Sequence, residues 1–302
     1  MNIQWYPGHM TKTRRMIGEN LKYVDVVAEV IDARIPIASR NPDIDDLVGS
    51  KPRVVILNRA DQADPAASKQ WAAYFRSKGI SVLECDARSG AGVKQFSPVM
   101  RGALKEQIAR WKEKGQVGRP VRAMVVGIPN VGKSTFINKV AKKKSAKAGD
   151  RPGVTRGKQW ISVDSFDLMD MPGVLWKKFD SLETASNLAF IGSIRDDILD
   201  IEELACGLLS SVRGIYPQQL LARYKLDAEA LTLPPYDLLQ AIGAKRGMLI
   251  SGGEVDTERA AKMLVGEFRA SKWGRLSLER PPQRAIQQED EVTDDAPQDD
   301  EQ

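Results

Sequence analysis

Two cysteines and one histidine in 302 residues leave little material for disulfide or transition-metal chemistry. Cys85 and Cys206 are too few for a disulfide framework and read as reduced thiols inside a protein kept in a reducing compartment. With His9 the sole histidine, a zinc site has too few of its usual ligands. Long apolar runs are missing as well. Residues 1–10 lack the apolar stretch of a signal peptide, and no later segment approaches the length of a membrane span. These absences predict a cytoplasmic chain with no membrane partner.

Acidic residues are unevenly spread. Lys and Arg outnumber Asp and Glu by 45 to 40, yet residues 287–302 hold eight acids and no base, so residues 1–286 carry 45 bases against 32 acids, a formal +13. That charge suits a nucleic-acid partner, and it equally suits a merely soluble surface. Residues 281–302 are rich in Pro, Gln and acids without aromatics, which predicts a disordered tail. The remaining length, at 42% apolar content overall, is enough for two cores.

The most informative stretch is Gly127 to Ser134, which fits the phosphate-loop pattern G-x-x-x-x-G-K-S/T. Ala123 to Val126 reads as a buried strand before it and Thr135 to Val140 as a helix after it, the context the motif needs. In such a loop Asn130, Val131, Gly132 and Thr135 turn backbone N–H groups toward phosphate oxygens, and the helix N-terminus adds partial positive charge. Lys133 is expected on the β and γ phosphates and Ser134 on Mg²⁺. Downstream, Thr155 lies in a Gly- and Pro-bounded stretch where a switch threonine would join the Mg²⁺. Asp170-Met-Pro-Gly173 resembles D-x-x-G, with Asp170 holding Mg²⁺ through water and the Gly173 N–H sensing the γ-phosphate. Val174 stands where many GTPases carry a water-orienting Gln.

Upstream lie candidates for base recognition. Strand candidate Arg53 to Leu57 runs into Asn58-Arg59-Ala60-Asp61, which resembles N-K-x-D with Arg for Lys. A carboxylate at Asp61 can accept both N1–H and N2–H of guanine, a pairing that adenine does not offer. Asn58 is expected to contact the base or brace the loop, and Arg59 to lie over the ring. By itself the tetrad is also ordinary turn and cap chemistry. A later strand, Ile80 to Glu84, ends in Cys85-Asp86-Ala87-Arg88, which resembles the S-A-K element with Asp86 in place of Ser.

Coarse patterning places a helix over 11–21, strands over 24–31, 159–163 and 166–169, a helix over 62–78, and a polar, basic helix with a linker over 93–118. Beyond residue 180 only helices are expected, over 183–194, 201–213, 217–224, 236–245 and 256–271. In the last of these Ala261, Leu264, Val265 and Phe268 share one face, while Arg259, Lys262 and Arg269 lie away from it. Such a basic back fits RNA phosphates, and it also fits a plain solvated helix.

The base-reading elements precede the phosphate elements, the reverse of the ordinary GTPase order. Together with Gln4 to Met10, Asp32 to Pro36, Ser39 to Pro42, Gly266 to Arg269 and Gly274 to Ser277, this arrangement resembles the ribosome biogenesis GTPase A (YlqF) family of circularly permuted GTPases. The resemblance covers residues 2 to 280. It implies an α/β fold, a circularly permuted P-loop GTPase domain at 1–178 followed by a small all-α bundle at 179–280 that contacts rRNA, and an acidic tail at 281–302. It further implies GTP and GDP as ligands, Mg²⁺ as cofactor, and a monomer that assists late maturation of the large (50S) ribosomal subunit precursor. A hydrolytic role for His9 also comes from this resemblance, and Asn130 resembles the Asn that binds K⁺ in potassium-stimulated GTPases. For each of these two residues a bracing role in its loop stands as the alternative reading.

Overall fold

The β-branched runs in the first part of the chain become neighbouring parallel strands. The structure, a computed structural model, describes residues 9–141, 159–176, 179 and 181–282. Strands β1 (Val26–Asp32), β2 (Arg53–Asn58) and β3 (Ser81–Glu84) pair in parallel, and β4 (Val121–Val126) lies on the other side of β1. Strand β6 (Phe166–Asp170) continues the parallel set, and β5 (Gln159–Val163) runs antiparallel along the outer edge. The order is β3-β2-β1-β4-β6-β5.

Six helices clothe this sheet: α1 (His9–Asn20), α2 (Asp43–Val48), α3 (Pro65–Ser77), α4 (Phe96–Ala103), α5 (Lys105–Glu113) and α6 (Lys133–Ala141). On one face Trp71 and Phe75 of α3 pack over Ile31, Val55 and Leu57. Elsewhere in the sheet's larger core Phe96 meets Phe136 of α6 and Phe166 of β6, with ring centroids 5.5 and 5.4 Å apart. Every residue of β1 is buried, as expected of a central strand covered on both faces. That burial includes Glu29, whose carboxylate is pushed toward the neutral form by desolvation and held by Arg40, 3.0 Å away.

Helix α3 starts at Pro65 rather than at residue 62, because Asp64 caps it by accepting from the N–H groups of Ala66 and Ala67. The polar stretch over 93–118 is two helices and not one. Leu104 between them is buried, and with Phe96 and Met100 it makes α4 an amphipathic, core-facing helix. Helix α2 follows Pro42, between β1 and β2.

After the sheet come α7 (Leu182–Phe190), α8 (Ile201–Ile215), α9 (Pro217–Tyr224), α10 (Pro235–Lys245) and α11 (Thr257–Arg269). Ser181, Asp200 and Asp256 cap three of them, and Pro217 and Pro235 open two others. Leu204, Leu208, Leu238, Ile242, Leu264 and Phe268 form their buried seam. The architecture is thus the expected α/β sheet followed by a helical bundle. Among the described residues no helix is long and apolar enough to cross a membrane.

Parallel strands share one C-terminal edge, where open α/β sheets bind ligands. Asp32 ends β1, Asn58 ends β2, Asp86 follows β3, Gly127 follows β4 and Asp170 ends β6. Elements far apart in the chain therefore meet along one line.

Candidate nucleotide site

The phosphate loop leaves β4 and enters α6 at Lys133. Gly132 has φ +87, and a Cβ there would collide with the side-chain amide of Asn58, so glycine alone lets the loop close against the end of β2. Lys133 and Asp170 are both buried, and the Lys133 Nζ pairs with the Asp170 carboxylate. A cavity of about 760 Å³ opens above them, walled by Pro129, Asn130, Gly132, Lys133, Ser134 and Thr135 on one side and by Pro172 and Gly173 on the other. An ammonium, a hydroxyl and a carboxylate around a helix N-terminus form the donor set that a Mg²⁺-bound polyphosphate requires. Among the described residues no group of three or more His, Cys, Asp or Glu forms a metal cage. A Mg²⁺ held mainly by phosphate oxygens and water needs none.

Asn58 braces three loops at once. Its Nδ2 donates to the Val131 carbonyl at 2.7 Å, and its Oδ1 accepts from the Ala87 N–H at 3.0 Å. Of the two expected roles, bracing is the one its contacts fulfil. Arg59, at φ +59, turns its guanidinium to the Asn130 carbonyl at 2.8 Å, with Nε 3.6 Å from Asp32. It joins the 58–61 loop to the phosphate loop. Asp61 remains exposed beside these braces. Partial burial and the nearby charge of Asp86 hold its carboxyl above the usual range.

Asp86 takes over the work of the missing serine. Its two oxygens accept from the N–H groups of Arg88 at 2.7 Å and Ser89 at 3.0 Å, closing the turn that presents Ala87. Burial acts to raise its pKa, but the Ser89 and Arg88 bonds outweigh it and keep the carboxyl below its ordinary value.

Comparison with known proteins turns this geometry into a family assignment. The chain is 45% identical over 283 residues to ribosome biogenesis GTPase A of Priestia megaterium, covering 93% of this chain and 98% of that protein. The chain belongs to the ribosome biogenesis GTPase A family. The protein of that name from Thermotoga maritima is 31% identical, with 92% and 95% of the two chains covered. Mouse mitochondrial ribosome-associated GTPase 1 is 32% identical over 92% of this chain and 90% of its own. The family described as 50S ribosome-binding GTPase matches residues 122–224. That match opens at β4, so the base-reading loops lie ahead of it, as a permuted order requires. Among solved structures, GDP-bound and GNP-bound YlqF of T. maritima superpose with TM-scores of 0.62 and 0.61 at 28% identity, covering 88% and 89% of this chain and 98% of each of theirs.

Within this family fold the helical bundle sits directly on the phosphate loop. Asn130 Nδ2 donates to the Gly192 carbonyl at 2.6 Å, and Ser193 Oγ donates to the Pro129 carbonyl at 2.8 Å. Arg269 is not the outward cation that helical periodicity suggested. It donates to the carbonyls of Ala189 and Phe190 at 2.8 and 2.9 Å, pairs with Asp196, and lines the phosphate cavity together with Ile191 and Gly192. The last carbonyls of α7 lie beyond the reach of intrahelical donors four residues on, and the guanidinium caps them, sharing the Ala189 carbonyl with the Gly192 N–H.

Thr155 lies outside the described residues, and so does the stretch before His9. Helix α1 begins at His9, so the backbone of this residue is the start of a helix. Val174 is buried, and its carbonyl accepts from Asn41 Nδ2 at 3.3 Å. Reading the sequence missed the Asp32–Arg34 ion pair, which is almost fully buried with an N–O distance of 2.8 Å, and the Phe268 ring that Arg34 faces at 5.5 Å. The opening Asp32 to Pro36 carried the family resemblance without a role. Its role is to be the joint between sheet and bundle.

Proposed function

We propose that this protein binds GTP on the C-terminal edge of its sheet, hydrolyses it with Mg²⁺, and acts as an assembly factor on the large ribosomal subunit precursor. The observation that carries the reading is the convergence of Asn58, Asp61, Ala87, Lys133, Ser134 and Asp170 on one edge from stretches far apart in the chain. Asp61 accepts from guanine, the turn that carries Ala87 lines the base, and the phosphate-loop N–H groups with Lys133 hold the phosphates. Ser134, Thr155 and Asp170 hold Mg²⁺, directly or through water. When bound, the ion neutralises charge on the β and γ phosphates. Val174 offers no donor or acceptor to a nucleophile, so we assign the positioning of water to His9 in the particle-bound state.

The division at 178/179 follows from the same reading, with the sheet domain as motor and residues 179–280 as the rRNA-contacting part. Arg259 and Lys262 are exposed on α11 and serve phosphate contact; Arg269 is occupied within the protein. The protein acts as a cytoplasmic monomer in this scheme, and K⁺ at Asn130 assists hydrolysis. Sedimentation with ribosomal subunits tests the whole: co-sedimentation with large-subunit particles in a non-hydrolysable GTP analogue and release in GDP are expected. Equal sedimentation in both nucleotides, or none in either, would remove the assembly role.

A further inference from the structure

Residues 274–280 leave the bundle after α11 and lie along the loop that carries Asp61. Arg275 Nη2 donates to the Ala60 carbonyl at 2.6 Å, and its Nε donates to the Ala63 carbonyl at 2.8 Å. The Leu276 N–H donates to the Gln62 carbonyl at 3.0 Å, and Ser277 Oγ accepts from the Asp64 N–H at 3.1 Å. Residues 60, 62, 63 and 64 each make a main-chain bond to this strap, while Asp61 stands between them with its carboxylate at the surface.

The loop is held from its other side as well. The Ala60 N–H donates to the Cys85 carbonyl at 3.1 Å, so Ala60 is clamped between β3's exit and Arg275. The strap is itself firmly seated. Leu276, Ser277 and Leu278 are buried, the Ser277 N–H donates to the Tyr216 hydroxyl at 3.0 Å, and the Leu278 N–H donates to the Arg34 carbonyl at 2.8 Å. Tyr216 belongs to the bundle and donates in turn to Asp64 at 2.9 Å.

We propose that the strap 274–280 is part of the guanine-selecting site, with Arg275 the positioning residue that sets where Asp61 presents its carboxylate. The proposal rests on the reading above, in which Asp61 accepts from guanine. Two parallel hydrogen bonds from N1–H and N2–H into one carboxylate tolerate displacement of only about 0.5 Å before one is lost. An exposed side chain cannot hold that position by its own packing. Its neighbours' carbonyls, fixed by a forked guanidinium, can. Because the strap continues from the bundle, selection of the base depends on the bundle being docked.

Inosine triphosphate, which lacks the N2 amino group, reports on this geometry. Equilibrium binding of GTP and ITP is measured for the parent, R275A, R275K, D61N and the D61N/R275A double variant. In R275A the GTP-over-ITP ratio should fall about three- to tenfold, the loss expected when one hydrogen bond is misaligned. R275K, a point charge without the fork, should fall between parent and R275A, and it serves as the readout if R275A does not fold. In the D61N background the Arg275 change should leave the ratio where D61N put it, since a positioning residue acts only through what it positions. A parental ratio in R275A and R275K, equal losses for GTP and ITP, or the same drop in both backgrounds would overturn the proposal while leaving guanine recognition by Asp61 intact. A parent that binds GTP and ITP equally would overturn both.

Discussion

Asn130 of the phosphate loop donates its side-chain amide to the carbonyl of Gly192, in the turn that ends α7. The same residue's own carbonyl accepts from Arg59 of the base-reading loop. One asparagine, held at φ +65, therefore touches the base-reading side and the bundle together. From there the line runs through Arg59 to Asp32, through the buried Asp32–Arg34 pair, and on to Phe268 of α11. A change in phosphate-loop geometry has two physical routes into the bundle, one through α7 and one through α11.

Asn130 has its amide nitrogen committed to Gly192, which leaves a cation the Oδ1 oxygen. If K⁺ offsets charge at the phosphates there, hydrolysis by the parent is faster in potassium than in sodium buffer, and N130A erases the difference. Equal parental rates in the two buffers would confine Asn130 to bracing α7's end against the loop.

Asp61→Asn replaces one of two acceptors by a donor facing the guanine N–H groups. GTP binding should weaken by on the order of 1 to 3 kcal/mol, with XTP gaining relative to GTP. Isothermal titration with both nucleotides checks this; an unaltered GTP-over-XTP preference would remove Asp61 from base recognition.

His9→Ala should leave GTP and GDP affinities near parental and lower particle-stimulated turnover by roughly 10²- to 10⁴-fold, the usual weight of acid-base or water-orienting assistance. Single-turnover rates with and without large subunits separate binding from chemistry. Parental stimulated turnover in H9A would move the catalytic group to the particle.

Glu279 links the 33–41 loop, α7 and the strap by accepting from the N–H groups of Ile37 and Ala38 and from Asn187 Nδ2. Burial pushes its carboxyl from the ordinary 4.5 up to about 7, against the pull of these bonds. Between those pH values the folded protein holds a proton that the unfolded chain has released, so stability falls as pH rises through the window. Relative to E279Q, the parent should lose at most ~3 kcal/mol from pH 5 to pH 8. Chemical denaturation of both proteins at the two pH values measures it, and parallel pH profiles would show that Glu279 is ionised throughout.

The phosphate-loop motif, the carboxylates that follow the strands and the order of these elements were legible in the chain because each motif is written in local chemistry. A glycine that admits a tight turn, a lysine at a helix start and a carboxylate after a strand carry their meaning within a few residues. Helix positions in the bundle were legible for the same reason, since caps and prolines mark them locally. Hidden were the contacts that close over distance. Asp86 substitutes for serine because both can accept N–H groups of the next turn, and only the turn's geometry reveals it. Arg269 looked like a solvated cation on helical periodicity, but the end of α7 turns it into a cap.

What the sequence by itself determined is the order of its parts: a phosphate-loop motif, carboxylates after β2 and at the end of β6, and helices that follow. Tertiary structure alone decided which side chains serve the site from outside it. Asn58 braces the loops around it, Arg59 ties its own loop to the phosphate loop, and Arg275 clamps Asp61's neighbours. The reason is physical. Helix and strand patterns are set by neighbours two to four residues apart, whereas these roles arise from donors and acceptors up to 215 residues apart in the chain that meet only when the sheet edge and the bundle have docked.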